Sequence, residues 1–174
     1  MFKHRLNGSF KLILITFLVA LIIRALLIQP YHVTSSSMEP TLLEGDKILV
    51  SKLIYRFTKP QRMDIVVFKY PLNKEVDYVK RIIGLPGEII EIRSGIVYID
   101  GSVLEENYII IQPEDDFGPV VIPGNRFFVL GDNRKDSLDS RYWGTVSRDN
   151  LLGKVVLLFW PHERLRYFRA GEKK

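Results

Sequence analysis

The spacing of apolar and polar positions divides the chain into two unlike parts. From Leu12 to Ile28 the residues are apolar except for Thr16 and Arg24. After Pro30 long helical periodicity does not return, and short β-branched or aromatic runs take over. They cover positions 48–50, 64–70, 76–83, 89–92, 96–99, 103–104, 108–111, 120–122, 126–130 and 155–159, punctuated by Gly, Pro and Asn. Asp100-Gly101 supplies the two positive-φ positions that a two-residue hairpin requires. The pattern predicts a mainly β fold, an antiparallel domain over 30–174 preceded by one apolar helix.

A helix rises about 1.5 Å per residue, so about 17–25 apolar residues cross a hydrocarbon core. The run over 12–29 meets that length. Lys3, Arg5 and Lys11 precede it, and Arg24 lies near its far end, where a long side chain snorkels toward headgroups. Positive charge ahead of a span places 1–11 in the cytoplasm and 30–174 outside, so a single-pass protein of the cell membrane is expected. The alternative is a cleaved signal peptide ending near Val33-Thr34-Ser35. Its apolar region is usually about 7–15 residues, shorter than this one, and Arg24 would interrupt it.

Composition narrows the functions open to such a chain. At 174 residues it has room for one modest domain plus a short element. The net charge of +5 forms no stripe, and no nucleic-acid-binding motif is visible. Lys and Arg cluster at the N-terminus and at Arg164, Arg166, Arg169, Lys173 and Lys174, which suits membrane lipid rather than nucleic acid. The absence of cysteine excludes thiol catalysis and disulfides. His4, His32 and His162 show no ligand spacing, so neither metal nor cofactor is expected. The segment 112–119, with Glu114, Asp115 and Asp116, reads as a solvated connection, an acidic metal site being the alternative.

Three stretches could carry chemistry. Ser35-Ser36-Ser37-Met38-Glu39-Pro40-Thr41-Leu42 follows the apolar run, and Pro40 biases Glu39 toward extended backbone. Serine is a weak nucleophile without a base, and His32 is too near in sequence for triad geometry. In strand 76–83, Lys80 shares a face with Val76, Tyr78 and Ile82, while Arg81 shares the other with Asp77, Val79 and Ile83. Desolvation disfavours a charged lysine, and lowering its pKa from about 10.4 to about 7 takes roughly 4–5 kcal/mol, within the reach of burial. Arginine does not deprotonate. Taken alone, the segment better describes a lysine snorkelling from a strand edge. The polar loop 131–144 lacks the glycine and glutamate of a calcium hand and suits a hydrogen-bonded scaffold, with Ser137 placed to orient an amine.

Ser37-Met38-Glu39-Pro40-Thr41, Arg62-Met63-Asp64-Ile65-Val66-Val67-Phe68, Tyr78-Val79-Lys80-Arg81-Ile82-Ile83-Gly84-Leu85-Pro86-Gly87 and the loop 131–144 resemble, in order, the motif boxes of bacterial type I signal peptidases of the compact single-span type. The resemblance runs from the apolar segment almost to Trp160. It implies a membrane-anchored serine endopeptidase that removes signal peptides from exported preproteins, cutting after small residues at −1 and −3 and working beside the export machinery. Ser37 would be the nucleophile and Lys80 the general base, with Ser35 and the Ser37 N–H forming the oxyanion hole. Ser137 would bond the lysine, Asp139 and Arg141 would buttress the loop, and Asp132 with Arg81 would support it as an ion pair. Tyr31, Val33, Leu42, Ile48, Asp77, Tyr78 and Val79 would line the substrate pockets, and the substrate would pair with the strand at 77–79.

Met63 and Ser36 stand where the family usually has glycine. Phe159-Trp160 is expected at the outer leaflet, the alternative being a core strand that ends in a buried Trp. Two rival functions remain at this level. A self-cleaving repressor shares the dyad but needs a helical DNA-binding domain. A non-catalytic anchored β-domain would bind exported chains and make the serine and lysine incidental.

Overall fold

Alternating side chains build two antiparallel sheets that share one junction. The structure, a computed structural model, describes residues 8–109 and 113–169, without the side chains of residues 9 and 20–26. Helix α1 (Gly8–Leu27) leads directly into β1 (Ile28–His32), followed by β2 (Lys47–Ser51) and the short helix α2 (Ile54–Phe57). Strands β3 (Ile65–Tyr70), β4 (Asn73–Gly84), β5 (Ile89–Arg93), β6 (Ile96–Ile99), β7 (Ser102–Val103), β8 (Phe117–Val121) and β9 (Arg126–Leu130) come next. The chain continues through α3 (Ser140–Trp143), β10 (Val146–Ser147), β11 (Leu151–Trp160) and β12 (Arg166–Tyr167).

The larger sheet runs β1-β2-β11-β3-β4-β9-β10, with β12 also on β11; the smaller runs β7-β6-β5-β8. Every pairing is antiparallel. Period two explains how β3 can be buried on both faces. Ile65 and Val67 enter a core with Val33, Met38, Leu42, Ile48 and Val50, whereas Val66 and Phe68 enter another with Ile82, Phe127 and Val129. On β4 and β9, Ile83, Phe128 and Leu130 turn instead to the small sheet's core of Ile90, Ile92 and Val97. The two sheets are therefore joined by packed apolar surface at β4 and β9.

Several boundaries differ from expectation. Ile28 and Gln29 pair with Ser51 and Val50, so sheet begins inside the stretch 12–29. Hydrogen-bond partners far along the chain decided this, and apolar character could not reveal them. Tyr108 and Ile109 lie in a turn rather than a strand, and 110–111 fall outside the described residues. Phe117, Gly118 and Pro119 belong to β8 rather than to a loop; Gly118 has φ +85 and Pro119 sits on a sheet edge, where its missing N–H is harmless. The hairpin at Asp100-Gly101 has positive φ at both positions, 49 and 79°. Trp160 is half-exposed, so β11 does not end in a buried tryptophan.

Among the described residues no helix is long and apolar enough to cross a membrane; the described side chains of α1 stop at Val19 and resume at Leu27. The central strand carries the stability prediction. Phe68 is fully buried between β4 and α3, in contact with Tyr78 and Trp143. Phe68→Ala is expected to cost about 3–5 kcal/mol in chemical denaturation.

Candidate active site

The serine-rich turn is polar in sequence yet held by apolar anchors. Ser35 is extended, and Ser36–Met38 form a single 3-10 turn. Met38 and Leu42 are completely buried in the core beneath it, and Leu42 N–H donates to the Met38 carbonyl at 2.9 Å. These anchors fix the backbone of the turn that carries Ser37. Its Oγ lies 2.5 Å from Lys80 Nζ and 3.2 Å from Ser35 Oγ.

Lys80 is 3% exposed and pairs in register with Val66 of β3. Burial drives its pKa from 10.5 down to about 8, against the opposing pull of Asp139 and Asp132; Arg141 lowers it and Asp136 raises it. None of those carboxylates bonds the amine directly. A second lysine, Lys154, is as deeply buried, but its Nζ meets Asp64 at 2.5 Å, and Asp64 also accepts from the Tyr55 hydroxyl at 3.0 Å. One buried lysine has a carboxylate for partner and the other has a hydroxyl. The second arrangement suits proton transfer rather than ion pairing.

The loop after β9 closes over this pair. Leu130 lies opposite Arg81, so residue 131 emerges beside the lysine's strand. Gly131 approaches so closely that a Cβ there would sit 2.2 Å from Ser137 Oγ and 2.4 Å from the Ser37 carbonyl oxygen. Asn133 donates its backbone N–H to the Ser37 carbonyl at 3.1 Å and its side-chain amide to the Ser36 carbonyl at 3.3 Å. Ser36 Oγ donates to Asp136 at 2.6 Å.

Arg81 bonds Asp132 through two nitrogens at 2.8 and 2.5 Å and also donates to the Met63 carbonyl at 3.1 Å. Burial is the largest single influence and opposes its charge, but the bond and charge of Asp132, with Tyr108 and Glu106 adding to them, together hold the guanidinium above its usual pKa. Asp139, with no exposed surface, pairs with Arg141 at 2.9 and 3.0 Å and accepts from Gly131 N–H at 3.2 Å. Met63 has φ 73°, in the left-handed region where glycine is favoured, and its side chain is buried.

A cleft of about 320 Å³ opens at the dyad. Tyr31, Val33, Ile48, Asp77, Tyr78 and Val79 line it together with Ser35, Ser37 and Lys80. Tyr31 donates its hydroxyl to Asp77 at 3.2 Å, and burial with the neighbouring carboxylate pushes that hydroxyl up to about 12. Neither β1 nor residues 76–79 of β4 has a second strand partner among the described residues, so both present free edges.

Two expected placements differ. Leu42 does not line the cleft; it plugs the core under the serine turn, while its neighbour Thr41 turns the other way to the buried Arg81. Ser137 Oγ is buried without a hydrogen-bond partner, since the amine is turned to Ser37 instead. Asn133, Ser36 and Asp136 were not foreseen, although the polar density of 131–144 was the available signal. Among the described residues no group of acidic or histidine side chains is placed to hold a metal. Asp115 is committed to Arg141 and Asp116 to the Ser94 N–H.

A serine hydroxyl bonded to a buried amine whose charge burial disfavours, on an antiparallel scaffold, has the make-up of a serine hydrolase. Residues 6–160 match the family model described as signal peptidase, peptidase S26, and the chain belongs to that family of serine endopeptidases. It is 42% identical over 153 residues to a probable signal peptidase I-2 of Synechocystis sp., covering 85% of this chain and 70% of the relative. Identity to a signal peptidase I of Leptolyngbya laminosa is 42% over 168 residues, 92% of this chain and 82% of the relative. For signal peptidase I T of Bacillus subtilis it is 37% over 167 residues, with coverages of 90% and 86%. The crystal structure of a signal peptidase I from Enterococcus faecalis superposes with a TM-score of 0.50 at 38% identity, over 56% of this chain and 97% of that one.

The lysine's discharge has a stability consequence. Its pKa in the fold lies below the ordinary value, so the unfolded chain binds more protons between pH about 8 and 10.5. This site therefore makes the fold more stable as pH rises through that window. Lys80→Met is expected to abolish that increment and to raise stability below pH 8, read by denaturation at several pH values.

Proposed function

We propose that the protein is a membrane-anchored signal peptidase I that removes signal peptides from exported preproteins by a serine/lysine mechanism. The observation carrying this reading is the 2.5 Å approach of a buried, carboxylate-free Lys80 amine to Ser37 Oγ. Neutral Lys80 takes the Ser37 proton as Oγ bonds to the carbonyl carbon after the −1 residue. The oxyanion is met by the Ser35 hydroxyl and the Ser37 N–H, donors of a kind whose loss costs about 10²–10³ in rate. The ammonium then returns its proton to the leaving amine as the C–N bond breaks, releasing the mature chain. Water, deprotonated by the same lysine, attacks the acyl-enzyme and frees the signal peptide and the serine.

The cleft supports a small-residue specificity. A substrate strand laid against the free edge at 76–79 would place alternate side chains toward the branched apolar residues Val33, Ile48 and Val79, a lining that suits small side chains. The Tyr31–Asp77 bond braces the two walls. Asp139, Arg141, Asp132 and Arg81 support the loop, and Ser137 is the remaining hydroxyl near the dyad's roof.

The anchor reading rests on the apolar run over 12–29 in the sequence and on the basic residues that precede it. On that reading residues 1–11 are cytoplasmic, and the catalytic domain works at the outer face beside the export machinery. On the same reading Trp160, half-exposed next to His162, would meet lipid.

The direct test offers a preprotein with Ala at −3 and −1 to wild type, Ser37→Ala and Lys80→Ala. Cleavage by the first and loss in both variants is expected; cleavage surviving either substitution refutes the dyad. The pH dependence of kcat/KM is expected to rise with a midpoint near 8, the lysine's depressed value. Asp139→Asn removes the strongest charge holding that value up and leaves Arg141, which lowers it, so the rise moves to lower pH.

A further inference from the structure

The segment between β7 and β8 lies outside the cleft, yet its described residues grip the catalytic loop at several points. Glu106 forms a bidentate pair with Arg134, at 2.5 Å from Nη2 and 3.1 Å from Nη1, with both side chains 2% exposed. Arg134 Nε donates to the Gly131 carbonyl at 3.0 Å. Tyr108 donates its hydroxyl to Glu106, and its ring lies 3.9 Å from the guanidinium of Arg81, the neighbour of Lys80. Asp115 accepts from Arg141 at 2.7 Å, and Arg141 in turn donates to the Arg134 carbonyl at 2.7 Å.

These contacts are not needed to keep the small sheet attached, because Ile83, Phe128 and Leu130 already bury against its core. Burying a Glu–Arg pair is also a poor source of stability, since desolvation offsets most of the attraction; fixing one arrangement is its better-attested use. What Glu106 fixes is Gly131. That residue has no slack, with Ser137 Oγ and the Ser37 carbonyl both closer than a Cβ would tolerate. Any shift of residue 131 is therefore passed to the nucleophile's own backbone.

We propose that Glu106 is a positioning residue for the reaction: through Arg134 and the Gly131 carbonyl it sets the approach of the loop 131–137 to Ser37 and Lys80, with Tyr108 and Asp115 assisting. This rests on the serine/lysine reading. A misplacement near 1 Å at a reacting pair costs about 10²-fold in rate, so the effect belongs in kcat rather than in substrate affinity.

The test compares the full chain in detergent as wild type, Ser37→Ala, Glu106→Gln, Glu106→Asp, Asp115→Asn and Val97→Ala, on a peptide with Ala at −3 and −1. Glu106→Gln is expected to lower kcat about 10²-fold with KM changed less than about twofold. Glu106→Asp restores most of the rate, and Asp115→Asn, whose carboxylate is 38% exposed, gives a smaller loss of kcat. Val97→Ala, which thins the small sheet's core, leaves kcat per folded molecule unchanged.

A kcat for Glu106→Gln within about twofold of wild type overturns the proposal. So does an equal loss in Val97→Ala at matched thermal midpoint. If Glu106→Gln fails to fold, unaltered kcat in Asp115→Asn overturns it. Cleavage retained by Ser37→Ala, or absent in wild type, sinks the nucleophile reading instead.

Discussion

A buried amine with a hydroxyl where a carboxylate would be expected is the constraint around which this fold is arranged. Charged lysine is costly to bury, and proteins usually answer with an ion pair, as Lys154 and Asp64 do here. Lys80 receives no such partner. Its nearest acidic neighbours are already bound, Asp132 to Arg81 and Asp139 to Arg141. Their arginines absorb the negative charge that would otherwise reprotonate the amine. The two ion pairs thus serve a site that contains neither of them.

Topology makes that arrangement affordable. Strand β4 crosses from the main core to the small-sheet junction, so its second half is buried on both faces and carries Lys80 and Arg81 into solvent-free surroundings. Strand β9 pairs with the same half and ends where the loop 131–144 must begin. The serine turn arrives from the other direction, pinned by Met38 and Leu42. Three segments distant in sequence therefore converge because each is fixed by its own apolar packing.

How much of this was legible in the sequence depends on the range of the interaction. The β class, the Asp100-Gly101 hairpin and the placing of Ser37, Lys80 and the loop 131–144 follow from short-range pattern and motif order. Strand period two distinguished Lys80 from Arg81 as a base but not as a buried residue; both are buried, because β9 covers the second face. Leu42 was assigned to a pocket and lies in the core, since one residue of register in the serine turn separates the two. Glu106 carried no signal, because its partner is 28 positions away with no periodicity linking them. At position 63 the chain keeps a glycine-like φ of 73° with a methionine, so the turn persists and its side chain fills the core.

The protonation of the Lys80 amine can be observed without any substrate. The ¹⁵Nζ and ¹³Cε resonances of Lys80, assigned by comparison with Lys80→Met and followed by NMR from pH 6 to 12, report its titration directly. A midpoint near 8, well below that of the exposed lysines, is the predicted result. A midpoint at the ordinary lysine value of about 10.4 would mean that residue 80 stays charged at working pH. It would then be unable to accept the proton of Ser37.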